Sequence, residues 1–175
     1  WWEVAPRVSV AIPHANLAGI YLAQGKLSAA EREMATALRE EEQNPTMDTA
    51  TRAWVRTRVA KIHLRSGRIQ EAVAEQEGAL ATLAQTEDGV GLATLLNDLG
   101  MMQAAVGDLR TARSSFARAL QAGGSAADPM TVGLITGNLA LACMREGDLV
   151  QAEAYYSRAV TLLEQSLGPD HPNVR

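Results

Sequence analysis

Between Arg52 and Arg65 five cationic side chains, Arg52, Arg56, Arg58, Lys61 and Arg65, fall within fourteen residues that contain no acidic residue. Spacings of three and four bring Arg58, Lys61 and Arg65 near one face of a helix, where together they favour an acidic partner segment. The competing reading is a solvated helix side balanced by Glu40, Glu41 and Glu42 upstream, in which each exposed pair contributes only about 0–1 kcal/mol. Trp54, one turn before Arg58, reads either as an aromatic anchor on the same surface or as a side chain buried between neighbouring helices. Other chemistry finds little support. His14, His63 and His171 lie far apart, with no second ligand at metal-site spacing. Gly89-Val90-Gly91 lacks both the third glycine and the preceding strand of a phosphate loop. Ser, Asp and His occur without a G-x-S-x-G elbow or an ordered triad. No catalytic centre, metal or cofactor is expected.

Composition narrows the elements that could position these side chains. The 175 residues are 47% hydrophobic but only 4% aromatic, rich in Ala and Leu, which suits closely packed helices better than strands. A net charge of -4 and a sequence pI near 5.4 argue against the broad basic footprint of a nucleic-acid binder. The longest apolar stretches are broken by Asn, Asp or Gly before the roughly 20 residues that span a bilayer. Cys143 is the only cysteine, so no internal disulfide or thiolate cluster can form, and it reads as a small core residue. A soluble, cytoplasmic chain is the expectation. It begins at Trp1 without an initiator Met, so we read it as a piece of something longer.

Self-similarity organises the whole chain. Gly25, Gly67, Gly107 and Gly147 each sit in a short turn (QGKL, SGRI, VGDL, EGDL), 42, 40 and 40 residues apart. Five residues after each turn glycine stands Ala30, Ala72, Ala112 or Ala152, and twelve after it Ala37, Ala79, Ala119 or Ala159. Four units follow, at about 8–44, 47–88, 89–124 and 128–168, forming one domain over 1–175 with 169–175 as a linker toward a further repeat. Ser28 with Glu31 reads as a capping box and Asn44-Pro45 as a stop. Asp108 and Asp148 read as N-caps, and Asp128-Pro129 as an N-cap followed by Pro at the first helical position. In the last helix Ala152, Tyr156, Ala159, Val160, Leu163 and Leu167 share one face, predicted as a core stripe. Eight helices in four hairpins cannot bury their apolar faces singly, so they are expected to stack as a curved solenoid with the first helices lining its groove.

These residues resemble tetratricopeptide repeats, particularly the longer variety of kinesin light chain and its bacterial relatives. The resemblance rests on Asn16-Leu17-Ala18 and Asn138-Leu139-Ala140, on Tyr21 before Gln24-Gly25-Lys26, and on the linker Leu167-Gly168-Pro169-Asp170-His171-Pro172-Asn173-Val174. It is strong in the first and fourth units. In the second, Arg58 and His63 replace the Asn and Tyr; in the third, Asp98 and Gln103 do.

The resemblance implies an all-α solenoid forming a right-handed superhelix, and a peptide- or protein-binding scaffold without catalysis. By position it sends Asn16, Arg58, Asp98 and Asn138 toward the groove, with Asn97 beside them. An Asn amide donates to and accepts from an extended backbone, although the same side chains can instead bond the neighbouring helix and only shape the array. The groove candidates are thus Asn16, Trp54, Arg58, Lys61, Arg65, Asn97, Met101, Asn138, Leu141 and Arg145, with Met101 and Leu141 as adaptable apolar lining. A self-association module and a regulatory domain of a larger enzyme or transcription regulator are the alternatives.

Overall fold

A computed structural model describes residues 9–84 and 88–167, the side chain of Leu167 excepted. The chain divides into two compact units, Trp1–Thr86 and Glu87–Arg175. The first holds α1 (Ala11–Ala23), α2 (Leu27–Gln43), α3 (Thr49–Arg65) and α4 (Ile69–Leu83); the second holds α5 (Gly89–Ala105), α6 (Leu109–Gly123), α7 (Pro129–Glu146) and α8 (Leu149–Leu167). The fold is all-α, and no strand occurs among the described residues. Consecutive helices pair as hairpins. In the first unit α3 also packs on α1 and α2, and in the second α7 packs on α5 and α6.

Each hairpin closes in the same way. Gly25, Gly67, Gly107 and Gly147 have φ of +73°, +77°, +86° and +89°, a left-handed conformation that costs a Cβ-bearing residue strain. The amide after each glycine reaches back to the carbonyl five residues earlier: Lys26 N to Tyr21 O, Arg68 N to His63 O, Asp108 N to Gln103 O and Asp148 N to Cys143 O, all at 2.9–3.0 Å. Each glycine amide bonds the carbonyl three residues earlier at 3.0–3.1 Å, completing a Schellman turn that satisfies the last carbonyls of the first helix.

Helix starts follow side-chain chemistry where an Asp is available. Asp48, Asp88 and Asp128, forty residues apart, accept from the amides of Thr51, Gly91 and Thr131 at 2.8–2.9 Å. Asp108 and Asp148 cap α6 and α8 through Thr111 N at 3.2 Å and Gln151 N at 3.3 Å. The side-chain hydrogen bonds from Thr51 and Thr111 hold the Asp48 and Asp108 carboxyls below their ordinary value, and the backbone amide of Thr131, followed by its hydroxyl, does the same for Asp128. The expected capping box at Ser28 does not form. Helix α2 starts one residue earlier, at Leu27, straight out of the glycine turn, with Lys26 at the cap position and no side-chain cap. Glu31 instead faces Arg68 across 3.3 Å. Asn44-Pro45 does end α2, at Gln43.

The recurring alanines are the contact points between helices. Ala30, Ala72, Ala112, Ala152, Ala37, Ala79, Ala119 and Ala159 are all buried. A further column seven residues before each turn glycine reads Ala18, Ala60, Gly100 and Ala140. The residues nine after it read Met34, Gln76, Phe116 and Tyr156. In the third hairpin the smallest member meets a full aromatic ring: a Cβ on Gly100 would stand 2.6 Å from Phe116 Cε1, and Phe116 is buried.

The expected core stripe of α8 holds only in part. Ala152 and Ala159 are buried, but Tyr156 and Val160 are 37% and 43% exposed. On α6 the residue matching Tyr156 is Phe116, on a helix that packs on both α5 and α7, whereas the packing of α8 within its unit is on α7. The linker from Gly168 onward lies outside the described residues, as do Trp1, Trp2 and His171.

Two glycines test the packing argument. Gly100→Ala is expected to lower stability by about 1–3 kcal/mol, because the buried Phe116 ring must move. Gly137, also inside a helix, would place a Cβ no nearer than 3.9 Å to Ala159 Cβ. Gly137→Ala is therefore expected to stabilise by about 0.5–1 kcal/mol through helix propensity alone. Urea unfolding of the two variants beside the parent checks both signs.

Candidate functional site

Helical geometry divides the cations of α3. At about 100° per residue, Arg52 and Arg56 fall within about 40° of each other, while Trp54, Arg58, Lys61 and Arg65 group on the opposite side within about 60°. The first pair is structural. Glu41, only 1% exposed, takes Arg52 Nη1 on Oε1 at 2.8 Å and Arg56 Nη2 on Oε2 at 2.9 Å. Arg52 also donates to the carbonyls of Glu41 and Asn44, each at 3.1 Å, so one guanidinium closes the carbonyl end of α2 while neutralising a carboxylate within it. Arg56 reaches Glu75 on α4 at 3.7 Å. Burial pushes the Glu75 carboxyl up, and the charge of Arg56 opposes that shift.

The other side of α3 is turned outward. Lys61 and Arg65 are exposed, and Trp54 is 39% exposed, which rules out full burial between hairpins. The Arg58 guanidinium carbon lies 6.0 Å from the centroid of the Trp54 ring. Arg58 Nη2 sits 3.2 Å from where a Cβ on Gly19 of α1 would stand. Asn16, also on α1, is exposed. His14, two residues before it, is tied to Glu33 of α2 through Nδ1.

In the second unit the candidates gather separately on α5 and α7. Asn138 Nδ2 donates to Asn97 Oδ1 at 2.9 Å, joining the two first helices to each other. Asp98, at the position where the family carries Asn, is 5% exposed and belongs to the interior. Arg145 Nη1 donates to Ala104 O at 2.9 Å, near the carbonyl end of α5, as Arg52 does for α2. A shallow pocket of about 280 Å³ is lined by Met101, Ala104, Phe116, Asn138, Leu141 and Arg145, among others. Met101 and Leu141 are exposed at its mouth, and Met130, Leu134 and Met144 extend the apolar surface along α7. Unit 1 thus offers cations and unit 2 apolar side chains.

The position four before each turn glycine, occupied by Tyr21, His63, Gln103 and Cys143, carries no shared chemistry. His63 is buried, and desolvation, helped by the charge of Arg68, pushes its pKa down and keeps the imidazole neutral. Gln103 Oε1 accepts from buried Ser115 Oγ at 2.7 Å. Cys143 is fully buried and desolvation pushes its thiol up, which disfavours the reactive thiolate. Among the described residues no group of three His, Cys, Asp or Glu side chains is placed to hold a metal ion, and no helix is long and apolar enough to cross a membrane.

A family profile described as Tetratricopeptide repeat matches residues 51–123 and 131–175. The chain belongs to the tetratricopeptide repeat family. Solved structures agree on the fold. BtubC (BKLC) from P. vanneervenii is 22% identical with a TM-score of 0.80, over 99% of this chain and 71% of that one. Kinesin light chain TPR-like repeats from Podosopora anserina are 18% identical with a TM-score of 0.80, over 95% and 80%. Aspartyl phosphate phosphatase F from Bacillus subtilis is 15% identical with a TM-score of 0.78, over 90% of this chain and 42% of that one. No curated protein matches the sequence. Tetratricopeptide repeats serve generally as non-catalytic scaffolds for protein interaction, and the fold of these repeats is similar to that of the kinesin light chain repeats.

Two features escaped the sequence reading: the burial of Glu41, which balances Arg52 and Arg56 as expected of the acidic run but from the interior, and the role of Gly19. Glu41 hides in an acidic triplet, and its burial is signalled only by its spacing from Ala30, Met34 and Ala37, the buried stripe of α2. Gly19, a helix-interior glycine on α1, had a signal in the larger residues of the other units at the same offset: Lys61, Met101 and Leu141. Glu41→Gln is expected to lower stability by roughly 1–3 kcal/mol, less than a fully buried pair would cost because both arginines remain partly solvated. Thermal unfolding of this variant beside Glu42→Gln, a change at an exposed position, separates the two environments.

Proposed function

We propose that this array is a scaffold whose first helices hold a segment of a protein or peptide partner, and that the outward face of α3 takes an acidic stretch of it. The observation that supports this is the division of cations on α3: Arg52 and Arg56 are used up on Glu41, while Arg58 and Arg65 have neither a hydrogen bond nor an ion pair among the described residues. A fold that needed those charges only for itself would pair them as it pairs the first two. In unit 2 the Asn97–Asn138 bond favours a shaping role for the amides there, with Met101 and Leu141 offering adaptable apolar contact and Arg145 the adjoining charge. The four hairpins act as one domain in this reading, which carries no catalytic step and places the protein in the cytoplasm.

The test uses a fluorescein-labelled oligoglutamate peptide and anisotropy at low and near-physiological salt. Reversing Lys61 and Arg65 to Glu is expected to weaken binding about tenfold or more and to flatten its salt dependence, since two attractions become repulsions. Unchanged affinity and salt dependence would sink the acidic-partner reading.

A second reading is favoured by α8. Tyr156, Val160, Leu149 and Val150 are exposed together on that helix, an apolar surface of the kind copies of a chain can share. If self-association is the function, sedimentation velocity is expected to show a species heavier than a monomer that grows with concentration. A monomer throughout the range rejects it.

A further inference from the structure

The contact between neighbouring hairpins inside unit 1 has a definite chemistry. Met34 of α2 shares a buried cluster with Val59 and Ile62 of α3, and Leu38 of α2 packs against it. Beside this apolar contact Glu31 Oε1 faces Arg68 Nη2 at 3.3 Å. Counted from the turn glycine of its own hairpin, the α2 side supplies the residues six, nine and thirteen after it. The α3 side supplies those eight and five before its glycine, and the one directly after.

The same positions on the first and last helices repeat that chemistry without a described neighbour to meet it. On α8 they hold Glu153, Tyr156 and Val160, all exposed. On α1 and its turn they hold Leu17, Ile20 and Lys26, of which Leu17 is half-buried and the others are exposed. An acid thus stands on α8 where Glu31 stands on α2, and a base after α1 where Arg68 stands after α3. Apolar side chains occupy the places of Met34, Leu38, Val59 and Ile62. The sign of the ion pair is not a fixed property of the repeat, because in unit 2 it is reversed: Arg113 of α6 faces Asp148, directly after Gly147, across 3.7 Å. Glu153 therefore complements Lys26, whereas it would repel an acid at that place. Neither Glu153 nor Lys26 has an ion pair among the described residues.

We infer that α8 of one copy of this chain receives α1 of a second copy in the register of the α2–α3 contact, with Glu153 meeting Lys26 while Tyr156 and Val160 meet Leu17 and Ile20. This rests on the self-association reading above and adds to it the second surface and the register. The occupant is a second copy because the face that matches α8 in both charge and apolar pattern is on this chain's own α1. Such a contact is heterologous: each added copy leaves one α1 and one α8 free, so assembly passes beyond the dimer unless the rotation closes a ring. A contact of α8 with α8 would be isologous and would stop at two copies.

Sedimentation velocity on the intact chain tests this with two blocked variants. Ile20→Asp puts a charge on the α1 face and Val160→Asp puts one on the α8 face, each at an exposed position. Where the parent associates, each variant alone is expected to stay monomeric. An equal mixture is expected to form a dimer that grows no further, because each copy keeps the face the other lacks. Separately, Lys26→Glu is expected to weaken association about tenfold, and combining it with Glu153→Lys to restore it. Circular dichroism checks that every variant folds, and the charge exchange carries the test alone if an Asp variant does not. Association of Ile20→Asp at the parent's strength, a mixture that stays monomeric, or a charge exchange that restores nothing overturns the α1–α8 assignment while self-association stands. A parent that is monomeric at every concentration removes that reading and this inference with it.

Discussion

A glycine held at φ between +73° and +89° closes every hairpin of this protein, and the geometry it imposes decides what the neighbouring positions can be. The turn fixes how one helix folds back on the next, so the residues where the two helices of a hairpin touch recur at constant distances from the glycine. That is why the alanines five and twelve residues after it are buried in all four hairpins, whatever else has changed. An alanine there allows the helices to approach closely, and a larger residue would overpack the contact. The turn needs no side chain of its own. Lys26 and Arg68 occupy the position before α2 and α4 that Asp108 and Asp148 occupy before α6 and α8, and the hairpins close alike.

Within that frame the repeats have diverged by compensation. Phe116 fits its buried site because Gly100 faces it, where the other hairpins set Ala against Met34, Gln76 or Tyr156. Arg58 fits beside α1 because Gly19 lacks a side chain. In both cases a large substituent on one helix coincides with a missing Cβ on another, as a close-packed interior requires. Glu41 follows the same logic in charge: a carboxylate turned into the interior is tolerable because two guanidinium groups and their hydrogen bonds meet it.

Much of this was legible in the sequence, because the strongest signals were local and periodic. The turn glycines and the alanine columns gave the hairpins, and Asp108, Asp128 and Asp148 gave helix starts that the hydrogen bonds bear out. Asp48 and Asp88 carried the same signal at the same forty-residue spacing as Asp128, without the Pro that makes the latter conspicuous. Ser28 and Glu31 matched a capping box, but the Schellman turn had already set the chain's direction one residue upstream, so the motif fell inside the first turn of α2. The α8 stripe failed at Tyr156 and Val160 because periodicity reports which residues share a face, not whether a neighbouring helix covers it. Likewise the grouping of Arg58, Lys61 and Arg65 could be read from spacing. The fate of Arg52 and Arg56 could not, since it depends on Glu41 being interior.

The division of α3 separates the cations the fold uses from those it leaves exposed. Arg52 and Arg56 are bound to the fold through Glu41, so altering them disturbs the packing of α2 and α4 as well as any surface property. Lys61 and Arg65 lie about half a helical turn away and are exposed. In unit 2 the same separation recurs with different chemistry: Phe116 fills the interior beneath Met101 and Leu141, which are exposed. Buried packing and exposed side chains therefore fall on opposite faces of the same helices. Repeats can then keep one hairpin geometry while presenting a cationic face in one unit and an apolar face in the other.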